Sequence, residues 1–218
     1  MLRIARVVVP GCPHHITQRG VRRMDVFFSD EDRLAYLKLL ATEGATHGID
    51  YLAWCLMTNH IHLICVPARP GSLAMGIGEA HKLYTRRVNF REGWRGFLFQ
   101  GRFFSCPIAP SRLLGAVRYV LQNPVRAGLV ERPWDYAWSS ARWLVGARDR
   151  DPLVREMGPL EEVADWITVL ATPEEDLTAI RRHTRTGRPF GDKSFVAQSE
   201  TVLGRRLQKR KPGPSPKR

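Results

Sequence analysis

Residues 49–57 and 60–66 are two apolar segments separated only by Thr58-Asn59. Both segments are rich in the β-branched and aromatic residues that favour strands. A short polar dipeptide between two such segments is typical of a tight turn. The pattern therefore predicts a β-hairpin near the middle of the chain.

The segments on either side of this hairpin alternate between strand and helix patterns. We predict a strand over 15–18, helices over 30–47, 72–90 and about 110–122, and a strand or second hairpin over 97–108. This order, with one strand and helix before the hairpin and one helix and strand after it, is that of a ferredoxin-like split βαβ sheet. We therefore predict an α+β fold with helices on one face of the sheet, plus an added C-terminal helix that carries Tyr119 and a basic tail.

The charge changes sign along the chain and divides it into three predicted segments. The 218 residues carry a formal net charge of +13. Residues 148–180 contain nine acidic and three basic residues, whereas residues 181–218 contain two acidic and 12 basic residues. We predict a main domain over 1–145, an acidic helical extension or linker over 146–190 and a basic C-terminal tail over 191–218.

The excess of basic over acidic residues indicates a polyanionic partner. Positive charges concentrated in this way repel one another unless an anionic partner offsets them. The tail contains Pro and Gly rather than an amphipathic apolar face, which favours nucleic acid over a membrane surface. The longest apolar runs are far shorter than the ~18 residues that span a bilayer, and no signal peptide is evident. We expect a cytoplasmic protein that associates with the nucleoid and not with a membrane.

His60 and His62 are separated by one residue on the returning strand of the hairpin. Residues i and i+2 of a strand point to the same side, so two imidazoles would project together while Ile61 and Leu63 point into the core. This arrangement suits a divalent metal ion. Two ordinary surface or core histidines would give the same pattern.

Tyr119 and Asn123 are i, i+4 neighbours on the predicted added helix. A phenol can attack phosphorus and hold a covalent intermediate. A carboxamide oxygen is a reasonable ligand for Mg²⁺ or Mn²⁺. A packed aromatic residue and a residue that ends a helix before Pro124 are the alternative interpretations.

Five blocks of the chain together resemble a known family. They are residues 13–20 (Pro-His-His-Ile-Thr-Gln-Arg-Gly), 57–63 (Met-Thr-Asn-His-Ile-His-Leu), 100–103 (Gln-Gly-Arg-Phe), 119–129 and 136–140 (Tyr-Ala-Trp-Ser-Ser). In order and spacing they are similar to the REP-associated tyrosine transposases, which belong to the HUH single-tyrosine transposase superfamily. The resemblance extends over about residues 3–145.

The resemblance implies a metal-dependent single-stranded DNA endonuclease and strand transferase. His60, His62 and Asn123 match the family's metal ligands, with Mg²⁺ or Mn²⁺ as cofactor, and Tyr119 matches its nucleophile. The implied reaction nicks and rejoins single-stranded DNA at repetitive palindromic hairpins, through a 5′-phosphotyrosine link and a free 3′-OH. The resemblance also implies a monomer, or a homodimer that exchanges the tyrosine helix.

Basic residues at several points of the chain are candidates for contacts with DNA phosphates. They are Arg19, Arg22, Arg23, Arg86, Arg87, Arg102, Arg205, Arg206, Lys209, Arg210 and Lys211. Two other functions fit the same sequence: a catalytically inactive protein that binds DNA hairpins, and a metal-dependent hydrolase of small phosphoesters. An inactive copy would have no reason to retain all four site residues, and a hydrolase that uses water would need neither Tyr119 nor the basic tail.

Overall fold

The computed structural model describes residues 5–173 and 176–207. Its centre is a four-stranded antiparallel sheet with the order β2-β3-β1-β4. The strands are β1 His14–Arg19, β2 Ile49–Met57, β3 His60–Pro67 and β4 Phe104–Pro107. This order is that of the split βαβ fold, and it confirms the α+β class predicted from the sequence.

Two long helices cover one face of the sheet. They are α1 Asp30–His47 and α2 Ser72–Glu92. The Ser29 side chain accepts a hydrogen bond from the Asp32 amide at the start of α1, and Gly48 ends that helix with a φ of 66°. The core beneath these helices contains inward-facing side chains of the two central strands, including Ile16, Ile61 and Leu63.

The opposite face of the sheet is covered by α3 Pro110–Leu121. Its side chains Leu113, Val117 and Val120 share a buried cluster with Ala53 and Ile64 of the sheet. Helices therefore cover both faces of the sheet. The helices α1 and α2 lie on one face, as predicted, and α3, the added helix that carries Tyr119, lies on the other.

Within the described residues, five further helices follow α3, and several of them extend its layer. They are α4 Asn123–Arg126, α5 Ala141–Leu144, α6 Trp166–Ala171, α7 Leu177–Thr186 and α8 Lys193–Leu203, with 3₁₀ turns at Val21–Arg23, Pro133–Asp135 and Gly158–Leu160. The Gln122 side chain at the end of α3 donates to the carbonyls of Leu170 and Thr172, at 2.9 and 2.7 Å. These two bonds anchor the end of α6 beside α3.

The segment predicted as an acidic extension or linker packs against the sheet layer. Trp166, Leu170, Ile180 and Phe190 are buried in the same cluster as α3. The Phe190 amide also donates to the carbonyl of Pro107, at the end of β4. The boundaries at residues 145 and 190 stay predictions.

The predicted strand or hairpin over 97–108 forms a strand only at Phe104–Pro107. The preceding residues form a loop instead, in which Gly101 has a φ of 61°. Backbone groups of this loop form hydrogen bonds with β1 and with the turn that follows β1. The Gln100 amide donates to the Arg19 carbonyl, and the Leu98 carbonyl accepts from the Val21 amide. This loop brings Gln100 beside the end of β1.

The structure also bears on the cysteines, on membrane-spanning helices and on the basic tail. Cys55, Cys65 and Cys106 are buried free thiols, and Cys12 is half-buried and also free. Across residues 5–173 and 176–207, no helix combines the length and apolarity needed to cross a membrane. Lys209, Arg210 and Lys211 of the predicted basic tail lie outside the described residues.

Candidate active site

The sheet face that α3 covers brings alternate residues of two central strands together. His62 of β3 lies directly opposite Thr17 of β1, and His60 lies opposite Arg19. Cross-strand partners project on the same side of a sheet, so these four side chains form one surface. Ile61, between the two histidines, is fully buried on the other face, as predicted.

His60 and His62 project side by side from β3. Their ring centroids are 5.1 Å apart, with the planes at 80°. His60 Nδ1 donates to Asn59 Oδ1 at 2.7 Å, and Asn59 is itself oriented because its Nδ2 donates to the Arg23 carbonyl. The lone pair of His60 is therefore on Nε2.

His62 is hydrogen-bonded to a third histidine. His62 Nδ1 lies 2.9 Å from His15 Nε2, and the two rings are nearly parallel with centroids 5.1 Å apart. His15 Nδ1 lies 2.8 Å from the hydroxyl oxygen of Thr184 on α7. A continuous hydrogen-bonded chain thus connects β3, β1 and α7.

Tyr119 of α3 lies against both of these histidine rings. Its ring centroid is 5.8 Å from that of His62 and 5.6 Å from that of His15, edge-on in both cases. Arg126 stacks its guanidinium 4.6 Å from the centre of the tyrosine ring and donates to the Tyr119 carbonyl. The ring is only 7% exposed, so packing restricts its orientation.

Burial keeps the site histidines neutral at ordinary pH. It lowers the pKa of His60 to about 4, with a smaller effect from the nearby Arg19 guanidinium. It lowers the pKa of His15 to about 3. The pKa of His62 is well below its usual range, chiefly through burial and then through the neighbouring His15, His60 and Arg126. Neutral imidazoles have a lone pair available for a metal ion.

Asn123 begins α4, one turn after Tyr119. Its Nδ2 donates to the carbonyls of Tyr119 and Val120, at 3.1 and 3.0 Å. These bonds occupy the donor side of the carboxamide and leave Oδ1 as the atom that could meet a cation. Within the described residues, no group of three His, Cys, Asp or Glu side chains forms a metal site. A cation here would therefore need a donor of another kind beside the two histidines.

Tyr119, His15 and His62 border an open cleft of about 290 Å³. Its lining comes from β1, β3, β4, α3, α7 and the loop before β4, and consists of His15, Thr17, Gln18, Arg19, His62, Gln100, Phe104, Tyr119, Arg181, Thr184 and Arg185. A larger cavity of about 510 Å³ lies between α1, β2 and residues 153–159. None of the described residues predicted for the site lines that larger cavity.

The predicted DNA-binding arginines are spread over several surfaces. Arg19 lines the cleft, and Arg22 and Arg23 are exposed on the turn that follows β1. Arg86 and Arg87 are exposed on α2, which packs on the opposite face of the sheet from Tyr119.

The remaining predicted arginines of the described structure do not line the cleft. Arg102 is exposed in the loop before β4, and Arg206 is exposed after α8. Arg205 donates to the backbone carbonyls of Ala5 and Arg6 at the N-terminal end of the described chain. Arg205 therefore has a structural contact in addition to its charge.

The cleft residues that were not predicted from the sequence include His15, Arg181, Thr184 and Arg185. The sequence does show that adjacent His14 and His15 must face opposite sides of a strand. The structure places His15 on the side of the cleft, while His14 accepts from the Val9 amide on the other. No sequence motif marks Arg181, Thr184 or Arg185 of α7 as a site residue. The basic composition of residues 181–188 is the feature that could have indicated them.

The antiparallel sheet, with two histidines on one face and a tyrosine on the helix that covers that face, is the arrangement that the resemblance to the single-tyrosine transposases led us to expect. The chain belongs to the IS200-like transposase family, whose model matches residues 8–123. The family recognised from the sequence motifs is thereby confirmed.

Comparison with solved structures supports the fold. One is described as a REP-associated tyrosine transposase bound to a REP hairpin; it is 17% identical, with a TM-score of 0.54, over 72% of this chain and 92% of that chain. A transposase structure from Deinococcus radiodurans R1 is also 17% identical, over 59% of this chain and 92% of that chain, and its TM-score of 0.37 adds nothing to the argument. No curated protein matches the chain significantly.

Proposed function

We propose that this transposase-family protein is a metal-dependent single-stranded DNA endonuclease and strand transferase. It nicks and rejoins DNA at repetitive palindromic hairpins, through a covalent 5′-phosphotyrosine intermediate on Tyr119. The observation that carries this proposal is the edge-on contact between the rings of Tyr119 and His62 in a cleft lined by arginines. The likeness to a transposase bound to a REP hairpin supports a DNA hairpin as the partner.

In the proposed cleavage, the Tyr119 hydroxyl oxygen forms a bond to the phosphorus of a phosphodiester. The bond between that phosphorus and the 3′ oxygen breaks. The phenol loses its proton to a base and the 3′ oxygen gains one, so the products are a 5′-phosphotyrosine and a free 3′-OH. Rejoining is the reverse attack by a 3′-OH, which releases the phenol and needs no nucleotide energy source.

The donor set fits a divalent cation such as Mg²⁺ or Mn²⁺. His60 and His62 each commit Nδ1 to a protein partner, which leaves Nε2 as the nitrogen able to coordinate. The Oδ1 of Asn123 is the proposed third protein ligand. When bound, the ion would polarise the phosphate and offset charge that develops in the transition state.

Arginines of this chain are proposed to hold the DNA backbone. Arg19, Arg181 and Arg185 line the cleft itself, close to where a phosphate would meet Tyr119. Arg22 and Arg23 extend the basic surface from the end of β1. Arg86, Arg87, Arg102, Arg206 and the residues beyond Leu207 would contribute contacts that do not depend on DNA sequence.

The contact between Tyr119 and His62 within one chain supports a site that a monomer can complete. A homodimer that exchanges α3 would place the same two residues together from different subunits. We propose that the protein acts on DNA of the nucleoid in the cytoplasm.

The test is adduct formation on a labelled single-stranded hairpin taken from repeats that flank the gene, with Mn²⁺ or Mg²⁺ present. We expect a protein–DNA adduct on a denaturing gel with the wild-type protein. Tyr119→Phe should abolish the adduct, because the attacking oxygen is lost. The double variant His60→Ala/His62→Ala should reduce it to background.

Tyr136→Phe is the matched control. It also removes a phenol hydroxyl, but one that donates to the Leu56 carbonyl rather than lining the cleft. It should therefore still form the adduct. Tight hairpin binding without an adduct would instead indicate a non-catalytic DNA-binding protein, and cleavage that survives Tyr119→Phe would indicate hydrolysis by water.

A further inference from the structure

Helix α7 contributes to the site from outside the part of the chain that matches the family model. That match ends at residue 123, whereas α7 is Leu177–Thr186. Thr184 is 6% exposed and lies 2.8 Å from His15 Nδ1, although 169 positions separate the two residues. A buried polar contact between such distant segments needs a physical reason.

The Thr184 hydroxyl determines which atom donates in the hydrogen bonds from Thr184 to His15 and from His15 to His62. This hydroxyl donates its only hydrogen to the Ile180 carbonyl at 2.8 Å, one turn earlier in α7. Its oxygen must therefore accept from His15, so the proton of His15 is on Nδ1. In a neutral ring, His15 Nε2 is then an acceptor, and the facing nitrogen of His62, at 2.9 Å, must donate.

We infer that Thr184 and His15 are positioning residues, which hold His62 in the tautomer protonated on Nδ1 and leave the lone pair on Nε2. The inference rests on the proposed function in one respect, since it assumes that His62 coordinates the cation. A coordinating histidine needs an unprotonated ring nitrogen and a fixed ring orientation, and a hydrogen bond to its other nitrogen supplies both. The C-terminal extension is thereby part of the site.

Loss of the Thr184 hydroxyl should move the proton from Nδ1 to Nε2 in both His15 and His62. Without an acceptor at Nδ1, His15 can shift its proton to Nε2 and donate to His62. The Nδ1 of His62 must then accept, and its proton moves to Nε2, the nitrogen that would coordinate. Cys106 Sγ, 3.8 Å from the Thr184 oxygen, is a weak acceptor and a poor replacement for the hydroxyl.

The test is a long-range ¹H–¹⁵N correlation spectrum of the imidazoles in the full-length, metal-free protein. In the wild type we expect His15 and His62 both to be protonated on Nδ1. In Thr184→Val, which keeps the side-chain shape, a population of His62 should be protonated on Nε2. Thr184→Ser restores a hydroxyl and should restore the wild-type tautomer.

Thr186→Val is the matched control on the same helix. The Thr186 hydroxyl also donates to carbonyls of the preceding turn, those of Arg182 and His183, but it does not contact His15. It should leave the His62 spectrum unchanged. Titration with Mn²⁺ alone should then show affinity weakened about tenfold or more in Thr184→Val and not in Thr186→Val.

Three results would overturn the inference. They are a wild-type His62 protonated on Nε2, a Thr184→Val protein with an unchanged His62 tautomer, and a tautomer shift without loss of Mn²⁺ affinity. The first needs no variant and so does not depend on whether Thr184→Val folds. Because the spectrum requires neither metal nor DNA, absence of a wild-type DNA adduct would overturn the proposed function while leaving the tautomer result intact.

Discussion

Arg181 and Arg185 occupy successive turns of α7, and both line the cleft beside Tyr119. Residues i and i+4 of a helix lie on one side, so the two guanidinium groups present one basic edge to the cleft. A nucleic-acid strand that reaches Tyr119 would pass this edge. The two arginines are therefore candidates for contacts with DNA phosphates, in addition to the basic residues predicted from the sequence.

Replacement of Arg185 by Gln should weaken binding of a labelled single-stranded hairpin. Because one phosphate contact is lost, the slope of log affinity against log salt should fall by about 0.7. Fluorescence anisotropy at several salt concentrations measures both quantities. Arg182→Gln removes an exposed arginine of the same helix that does not line the cleft, and a loss equal to that of Arg185→Gln would contradict the assignment.

At the scale of elements, α1 and α2 are joined by an ion pair between a buried carboxylate and a partly exposed guanidinium. Arg91, near the end of α2, donates to both carboxylate oxygens of Asp32, at 2.5 and 3.0 Å. Asp32 is fully buried and also accepts from the Phe28 amide before α1. The end of one helix is thus tied to the start of the other.

Arg91→Leu should lower the free energy of unfolding by about 2 kcal/mol, because it leaves a buried carboxylate without its cation. The loss is smaller than for a wholly buried pair, since the Arg91 side chain is 38% exposed. Urea denaturation measures the change. Arg95→Leu, at an exposed position shortly after α2, should change the stability by less than about 0.5 kcal/mol, and equal losses in the two variants would show that the ion pair is not responsible.

At the scale of the whole molecule, buried histidines link stability to pH. Burial lowers the pKa of His14 to about 4 and that of His81 to about 3, compared with an ordinary value of 6.5. In the unfolded chain both residues bind protons below about pH 6.5. Their contribution to stability is therefore complete above that pH and is lost as the pH falls towards their folded values.

The free energy of unfolding should accordingly be lower at pH 5 than at pH 7, by on the order of 2 kcal/mol for each such histidine. Urea denaturation at the two pH values measures this difference. His81→Gln keeps a side chain that can hydrogen-bond to the Tyr36 hydroxyl but cannot titrate, so it should reduce the pH dependence. Equal stability of the wild type at both pH values would contradict the prediction.

Local patterns in the sequence were sufficient for β1, the hairpin of β2 and β3, the first three helices and the pairs of candidate residues, but not for the extent of β4. The Ser29 cap, Gly48 and Asn123-Pro124 mark helix ends through backbone chemistry that acts within a few residues. The spacing of His60 and His62 places both on one side of a strand because side chains alternate there. The likeness of Tyr119 to a nucleophile came from the family resemblance.

Only the tertiary structure brought Tyr119 against His62 and closed the chain of hydrogen bonds through His15 to Thr184. The physical reason is that packing of α3 and α7 onto the sheet depends on the fit of apolar surfaces from distant segments. Periodicity within one segment identifies a buried side but not its partner. The histidine pair could thus be predicted from the sequence, whereas the supporting contact between His15 and Thr184, which are 169 positions apart, could not.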